Sequence, residues 1–311
     1  MNKQDRCKEG FEIYVNSMAK SANDKSAKII PILREALTKR KGNILDLGAG
    51  GGELTKSLLS LAEEFKVKIF AVDRDPRMIS ILKEKFGGQK NVKVVQTAAE
   101  NLKLKRGFAL LERHGFLTGF GAVVCSSILH EVFSERKNIE DVRLVLKNIY
   151  NCLLPNGILV IRDGIKPPSE TDRVLIQPLK SELFERFQKI INRMEAPWLK
   201  IHDYLNPRRT RLFLALSKEN AYELAVKYQY PEINWPVEMK EKFGFWTKEK
   251  AKSILEETGF EIIQLESYLL PYFTQMFSKD FKLFEWKDGP GAIEIPYFDT
   301  HLIIAAQKKP N

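Results

Sequence analysis

One stretch of this chain combines a carboxylate with closely spaced glycines. In Ile44-Leu-Asp-Leu-Gly-Ala-Gly-Gly-Gly-Glu-Leu-Thr55, Asp46 closes a short apolar run, and a turn with Gly48, Ala49, Gly50 and Gly52 follows. Glycines here admit positive φ and let a ligand approach the main chain. The dinucleotide fingerprint Gly-x-Gly-x-x-Gly, counted from Gly48, fails because Glu53 holds the third glycine position. The Lys-Ser/Thr pair of a phosphate-binding P-loop is also missing. Asp46 would repel a pyrophosphate and suits a ligand with an ammonium and no phosphate. The bland alternative is a glycine-rich turn with a capping Asp.

The segments that follow favour a ligand. Val72-Asp73-Arg74-Asp75 ends a second apolar run. Asp73 lies roughly 20 residues past the glycines, where an acid can accept hydrogen bonds from both hydroxyls of a ribose. Ala98-Ala99-Glu100-Asn101-Leu102 follows a third run, and its small residues leave room for a flat ring. A ligand with an ammonium, a ribose and an aromatic base, but no phosphate, is met by S-adenosylmethionine.

These groups need a sheet to align them. Asn43–Leu47, Lys66–Val72, Val92–Val95, Gly121–Ser126 and Ile158–Ile161 read as strands, with helices near 54–64, 76–86 and 143–153 between them. Strands alternating with helices mean a parallel sheet covered on both faces. Ahead of it, residues 1–40 read as an N-terminal helical segment: Phe11, Tyr14, Val15 and Met18 share a face, and a second helix begins at Pro31. Residues 166–245 read as an inserted helical cap, with a stripe of Leu179, Leu183, Phe187, Ile190 and Met194 and a helix over 218–228 capped by Ser217. The sheet pattern resumes over 246–311 with a helix that Gly259 stops and strands near 260–265 and 301–306. The expected fold is a doubly wound α/β sheet, its core split into 41–165 and 246–311 by the cap.

Composition narrows the class. The 311 residues include 50 Lys plus Arg and 40 Asp plus Glu, a net charge of +10. With 44% apolar residues the chain is neither disordered nor collagen-like. No run approaches the roughly 18–20 apolar residues that span a bilayer. The first ten residues carry no apolar signal core, and Cys7, Cys125 and Cys152 form no Cys-x-x-Cys, so a reducing, cytoplasmic setting without a disulfide framework or a metal site is expected.

In several motifs taken in order, the sequence resembles the class I S-adenosylmethionine-dependent methyltransferases. The likeness covers about 42–163 and 245–309 and rests on Leu45-Asp-Leu-Gly-Ala-Gly-Gly-Gly52, Ala71-Val-Asp73, Ala99-Glu-Asn-Leu102, Val124-Cys-Ser-Ser-Ile-Leu-His130 and Leu154-Pro-Asn-Gly-Ile-Leu-Val-Ile161. It implies a seven-stranded sheet ending in an antiparallel hairpin. It also implies that Asp46, Gly48 and Gly50 line the methionine part of the cofactor and that Asp73 takes the ribose. Arg74, Ala99 and Glu100 would edge the adenine, and Ser126 would offer main-chain contacts near the transferring methyl. Ala98 and Gly121 depart from the pattern, because many members carry Asp at both places.

In such an enzyme the sulfonium makes the methyl electrophilic, and the protein aligns a nucleophile in line with it. A hydroxyl acceptor also needs a base. His130 and Glu131 follow the fourth strand at the edge where ligands bind, so His130 is either that base or a structural histidine. Arg162 and Asp163 follow the fifth strand and either pair with each other or face the acceptor. Arg208, Arg209 and Arg211 either clamp an anionic group or form a solvated basic turn. Three functions remain open. The first is a methyltransferase for a small or medium-sized acceptor held under the cap. The second is an RNA methyltransferase using the basic surface, and the third a non-catalytic cofactor-binding partner protein. The acceptor and the oligomeric state are not legible.

Overall fold

The computed structural model describes residues 22–103, 119–168, 172–202, 212–286 and 293–310. The chain divides into two compact units. One holds Met1–Asp163, Lys248–Glu266 and Leu302–Asn311, and the other Gly164–Thr247 and Ser267–His301.

The first unit is built on a seven-stranded sheet of order β3-β2-β1-β4-β5-β12-β9. Its strands are β1 Asn43–Leu47, β2 Ile69–Asp73, β3 Val92–Gln96, β4 Phe120–Ser126, β5 Leu153–Gly164, β9 Phe260–Tyr268 and β12 His301–Lys308. Strands β1 to β5 pair in parallel. All seven residues of β4 are buried, as expected of a strand covered on both faces. The doubly wound expectation holds. The last two strands are neighbours in the sheet but not a tight hairpin, because the chain enters the second unit between them.

Helices α1 Ala22–Lys39, α2 Glu53–Phe65, α3 Pro76–Phe86, α4 Leu129–Arg136, α5 Ile139–Cys152 and, after the second unit's first segment, Lys248–Thr258 complete this unit. Helix α1 runs unbroken through Pro31, correcting the expected start there. It packs on α2 and β4. The apolar face proposed around Phe11 to Met18 lies outside the described residues. Gly121 replaces the Asp of many class members for a packing reason: a Cβ on it would stand 2.8 Å from the Gly42 backbone. The strand order reverses between β1 and β4, so the loops leaving these two strands part and open a crevice at the carboxyl edge.

The second unit corrects the expected helical cap. It carries a five-stranded antiparallel sheet of order β11-β10-β6-β8-β7. The strands are β6 Arg173–Pro178, β7 Leu199–His202, β8 Leu212–Ser217, β10 Phe281–Glu285 and β11 Glu294–Ile295. It also extends into 267–301, which the sequence assigned to the core. Val174, Ile176, Leu214 and Leu216 face a core completed by the helices over Ser181–Arg193, Lys218–Lys227 and Pro271–Asp280. Leu175, Phe213 and Ala215 face the other way, with Phe284. With both faces buried, β6 and β8 read as short apolar runs without alternation, which periodicity cannot tell from buried helix. The expected Ser217 cap is present, its Oγ accepting from the Asn220 N–H at 3.2 Å.

Candidate active site

The turn after β1 is shaped by its glycines. Gly48, Gly50 and Gly52 take φ of 73°, 52° and 84°, in the left-handed region. Gly48 and Ala49 donate their N–H groups to the Val72 carbonyl, both at 2.9 Å, tying the turn to β2. A Cβ on Gly48 would stand 2.9 Å from the Ile128 side chain, so the loops after β1 and β4 touch across the switch point. A Cβ on Gly52 would meet Phe86 at 2.6 Å, which fixes how closely α2 approaches α3.

Asp46 is 1% exposed, and its Oδ2 accepts from the Thr55 hydroxyl at 2.6 Å. Burial lifts its pKa to about 6, against the opposing pull of that hydrogen bond and of the Lys25 ammonium. Asp73 braces the turn as well as ending β2: Oδ2 accepts from the Gly50 N–H at 2.9 Å and Oδ1 from the Asp75 N–H at 2.9 Å. Arg74 pairs with Glu135 of α4 at 2.7 Å. Ala99 is buried, and the Asn148 amide holds the Glu100 carbonyl at 3.0 Å. Ser126 ends β4 with its hydroxyl buried and unpartnered among the described residues.

The ends of β4 and β5 bring a second group together. Ser126 pairs in register with Arg162, so the residues after β4 meet the last residues of β5. His130 Nδ1 lies 2.6 Å from Asp163 Oδ1, and Asp163 Oδ2 accepts from the Leu129 N–H at 2.8 Å. Asp163 is fully buried and His130 is 8% exposed. A carboxylate that accepts from Nδ1–H places the lone pair of the neutral imidazole on Nε2. Glu131 is half-buried in the first turn of α4. Of the two expected partners, the 1% exposed Arg162 grips Asp24 of α1 at 2.8 and 3.1 Å, while Asp163 holds His130. Burial pushes the Cys125 thiol far up, leaving it inert.

The structure therefore gathers Asp46, Gly48, Ala49, Gly50, Gly52, Asp73 and Ser126 around one crevice edge, with His130 and Asp163 beside Ser126. Arg208, Arg209 and Arg211 lie outside the described residues. Asp24, Lys25 and Thr55 are additions that sequence reasoning missed. Among the described residues no group of His, Cys, Asp and Glu could hold a metal ion, and no helix is long and apolar enough to cross a membrane.

Residues 45–159 match the family model of a methyltransferase domain. No curated protein matches the chain. Among solved structures, an S-adenosylmethionine-dependent methyltransferase from Clostridium acetobutylicum aligns over 97% of this chain and 99% of its own, with 12% identity and a TM-score of 0.50. A putative methyltransferase from Bacillus halodurans aligns over 91% and 99%, with 16% identity and a TM-score of 0.47. Human N-acetylserotonin methyltransferase, solved with its S-adenosylmethionine, aligns over 95% and 55%, with 12% identity and a TM-score of 0.49. At such identities the likeness concerns the fold.

Proposed function

We propose that the protein binds S-adenosylmethionine at the β1–β4 switch point and transfers its methyl group to a small or medium-sized acceptor; the match of residues 45–159 to a methyltransferase domain and the order of the seven-stranded sheet support this reading. The observation that carries this reading is the buried Asp46 beneath a turn of left-handed glycines. A carboxylate there repels phosphate and attracts an ammonium. The turn leaves main-chain room for the methionine end over Gly48, Ala49, Gly50 and Gly52. Asp73 keeps lone pairs for ribose hydroxyls beyond the two N–H groups it already accepts. We assign the adenine edge to Arg74, Ala99 and Glu100, a reading that the small, buried Ala99 supports. The unpartnered Ser126 hydroxyl gives the centre a polar group that a ligand would satisfy.

When bound, the cofactor supplies an electrophilic methyl on a sulfonium. The chain's own part is to hold the acceptor in line and to manage its proton. We assign the proton to His130 Nε2. Asp163 is its positioning residue: it fixes the ring through Nδ1 and stabilises the imidazolium that forms. This favours an acceptor whose nucleophilic atom loses a proton, such as a hydroxyl. Glu131 adds negative charge beside the same ring.

Incubation with cofactor labelled in the methyl group and fractionated cell extract tests the proposal. Label is expected in a small-molecule fraction. Label in RNA would transfer the reading to a polynucleotide acceptor, and cofactor binding without any transfer would support a partner protein.

A further inference from the structure

Thr55 is the third residue of α2 and is fully buried. In such a place valine has nearly the same shape and no polar atom to satisfy, so a threonine hydroxyl needs a partner. The usual one inside a helix is the carbonyl four residues back. Thr38 in α1 and Thr258 at the end of the helix over Lys248–Thr258 take it, at 2.9 and 2.7 Å. Thr55 does not. Its hydroxyl donates to Asp46 Oδ2 at 2.6 Å, while the Gly51 carbonyl, four residues back, accepts from Lys85 Nζ of α3 at 2.7 Å. Lys85 also holds Glu53 at 2.7 Å, so the start of α2 is fastened and the rival acceptor is filled.

At 2.6 Å the contact has the length of a hydroxyl on an ionised carboxylate. It favours the charged form of Asp46 and occupies one of its two oxygens. The other charges in the field of Asp46 are Lys25 of α1 and Asp73 of β2, whose effects oppose each other. The main chain of the turn is committed as well. Gly48 and Ala49 donate to the Val72 carbonyl, Gly50 to Asp73 and Gly52 to the Ala49 carbonyl. With these N–H groups spent, the charge on Asp46 decides which ligand head the turn accepts.

We propose that Thr55 is the positioning residue of Asp46: its hydroxyl holds Oδ2, keeps the carboxylate ionised and leaves Oδ1 for the ammonium of the bound amino-acid head. The proposal rests on the reading of the crevice as an S-adenosylmethionine site. It gives the first turn of α2 a part in binding without contact to the ligand. Lys85 serves the same end by denying the hydroxyl its usual acceptor.

The test is calorimetric titration of the full chain across pH with two probes: S-adenosylhomocysteine, and 5′-methylthioadenosine, which lacks the amino-acid head. Thr55→Val should raise the pH below which S-adenosylhomocysteine binding weakens by about one to two units, the worth of a hydrogen bond to a charged group. At pH 6.5 this is a loss of about 10-fold, which should shrink to within about threefold by pH 8.5. Binding of 5′-methylthioadenosine should stay within about twofold of wild type throughout. Thr55→Ser, which keeps the donor, should hold the pH dependence within about half a unit of wild type. In an Asp46→Asn background, Thr55→Val should change S-adenosylhomocysteine affinity by less than about twofold, a comparison that does not need the single Thr55→Val variant to fold. A further loss in that background, equal weakening of both probes at every pH, or a pH dependence unmoved by Thr55→Val would make Thr55 a packing residue and overturn the proposal. If wild-type protein binds neither probe, the site reading itself fails, an outcome distinct from a failure at Thr55.

Discussion

His130 Nδ1 and Asp163 Oδ1 meet at 2.6 Å between the first turn of α4 and the end of β5, 33 residues apart in sequence. The contact fixes both the orientation and the tautomer of the ring. Asp163→Asn retains an oxygen for the Leu129 N–H but can no longer accept the imidazolium's charge. Its kcat should fall by about 10²- to 10⁴-fold with cofactor affinity unchanged, and His130→Ala should fall as far, without adding to it. Single-turnover transfer of labelled methyl reads this. Unchanged kcat in Asp163→Asn would leave His130 a structural residue.

The acidity of Asp46 links binding to stability. Its pKa is raised from 3.8 to about 6 by burial, so between those values the folded chain holds more protons than the unfolded one and stability falls as pH rises. Above about 6 the penalty is complete. Asp46→Asn should therefore raise stability at pH 7.5 by up to about 3 kcal/mol, and the gain should vanish toward pH 4. Thermal melts of both proteins across this range check the sign.

The same ionisation sets a pH limb in cofactor binding. Attraction of an ammonium needs Asp46 ionised, so affinity for S-adenosylhomocysteine should rise through about pH 6. Asp46→Asn should lose this limb, as calorimetric titration across the range would show.

Gly48 is held both by its φ of 73° and by Ile128. Gly48→Ala should cost about 2–4 kcal/mol, the left-handed strain plus the overpacking. Adding Ile128→Ala should recover the steric part and leave about 1–2 kcal/mol. Full recovery would mean that the backbone conformation costs nothing.

Arg162 is the more deeply buried member of its pair with Asp24. Arg162→Met, which removes the guanidinium that Asp24 binds, should destabilise by about 3–5 kcal/mol. Replacing both residues with apolar ones of similar size should recover much of this. Urea unfolding at constant m-value reads the difference.

What the sequence disclosed was local. Asp46, the glycine turn and Asp73 lie in continuous motifs whose spacing carries their meaning, and β1 to β5 follow from the alternation of strands and helices. The partnership of His130 with Asp163 was hidden because it depends on the register that sets Ser126 beside Arg162. Asp24 and Lys25 look like solvated charges in the first turn of a helix, and only tertiary packing reveals what they face. Strands β6 and β8 were lost because burial on both faces erases the period-2 signal. Gly121 shows the reverse case, a departure from the family pattern that the close approach of Gly42 explains.

The most direct measurement is titration of the purified chain with S-adenosylhomocysteine, ATP and NADH under one set of conditions. One equivalent of S-adenosylhomocysteine should bind, with affinity reduced at least about 100-fold by Asp46→Ala, while the two phosphorylated ligands stay in solution. ATP or NADH held at this turn, with S-adenosylhomocysteine left unbound, would contradict the assignment of the crevice after β1.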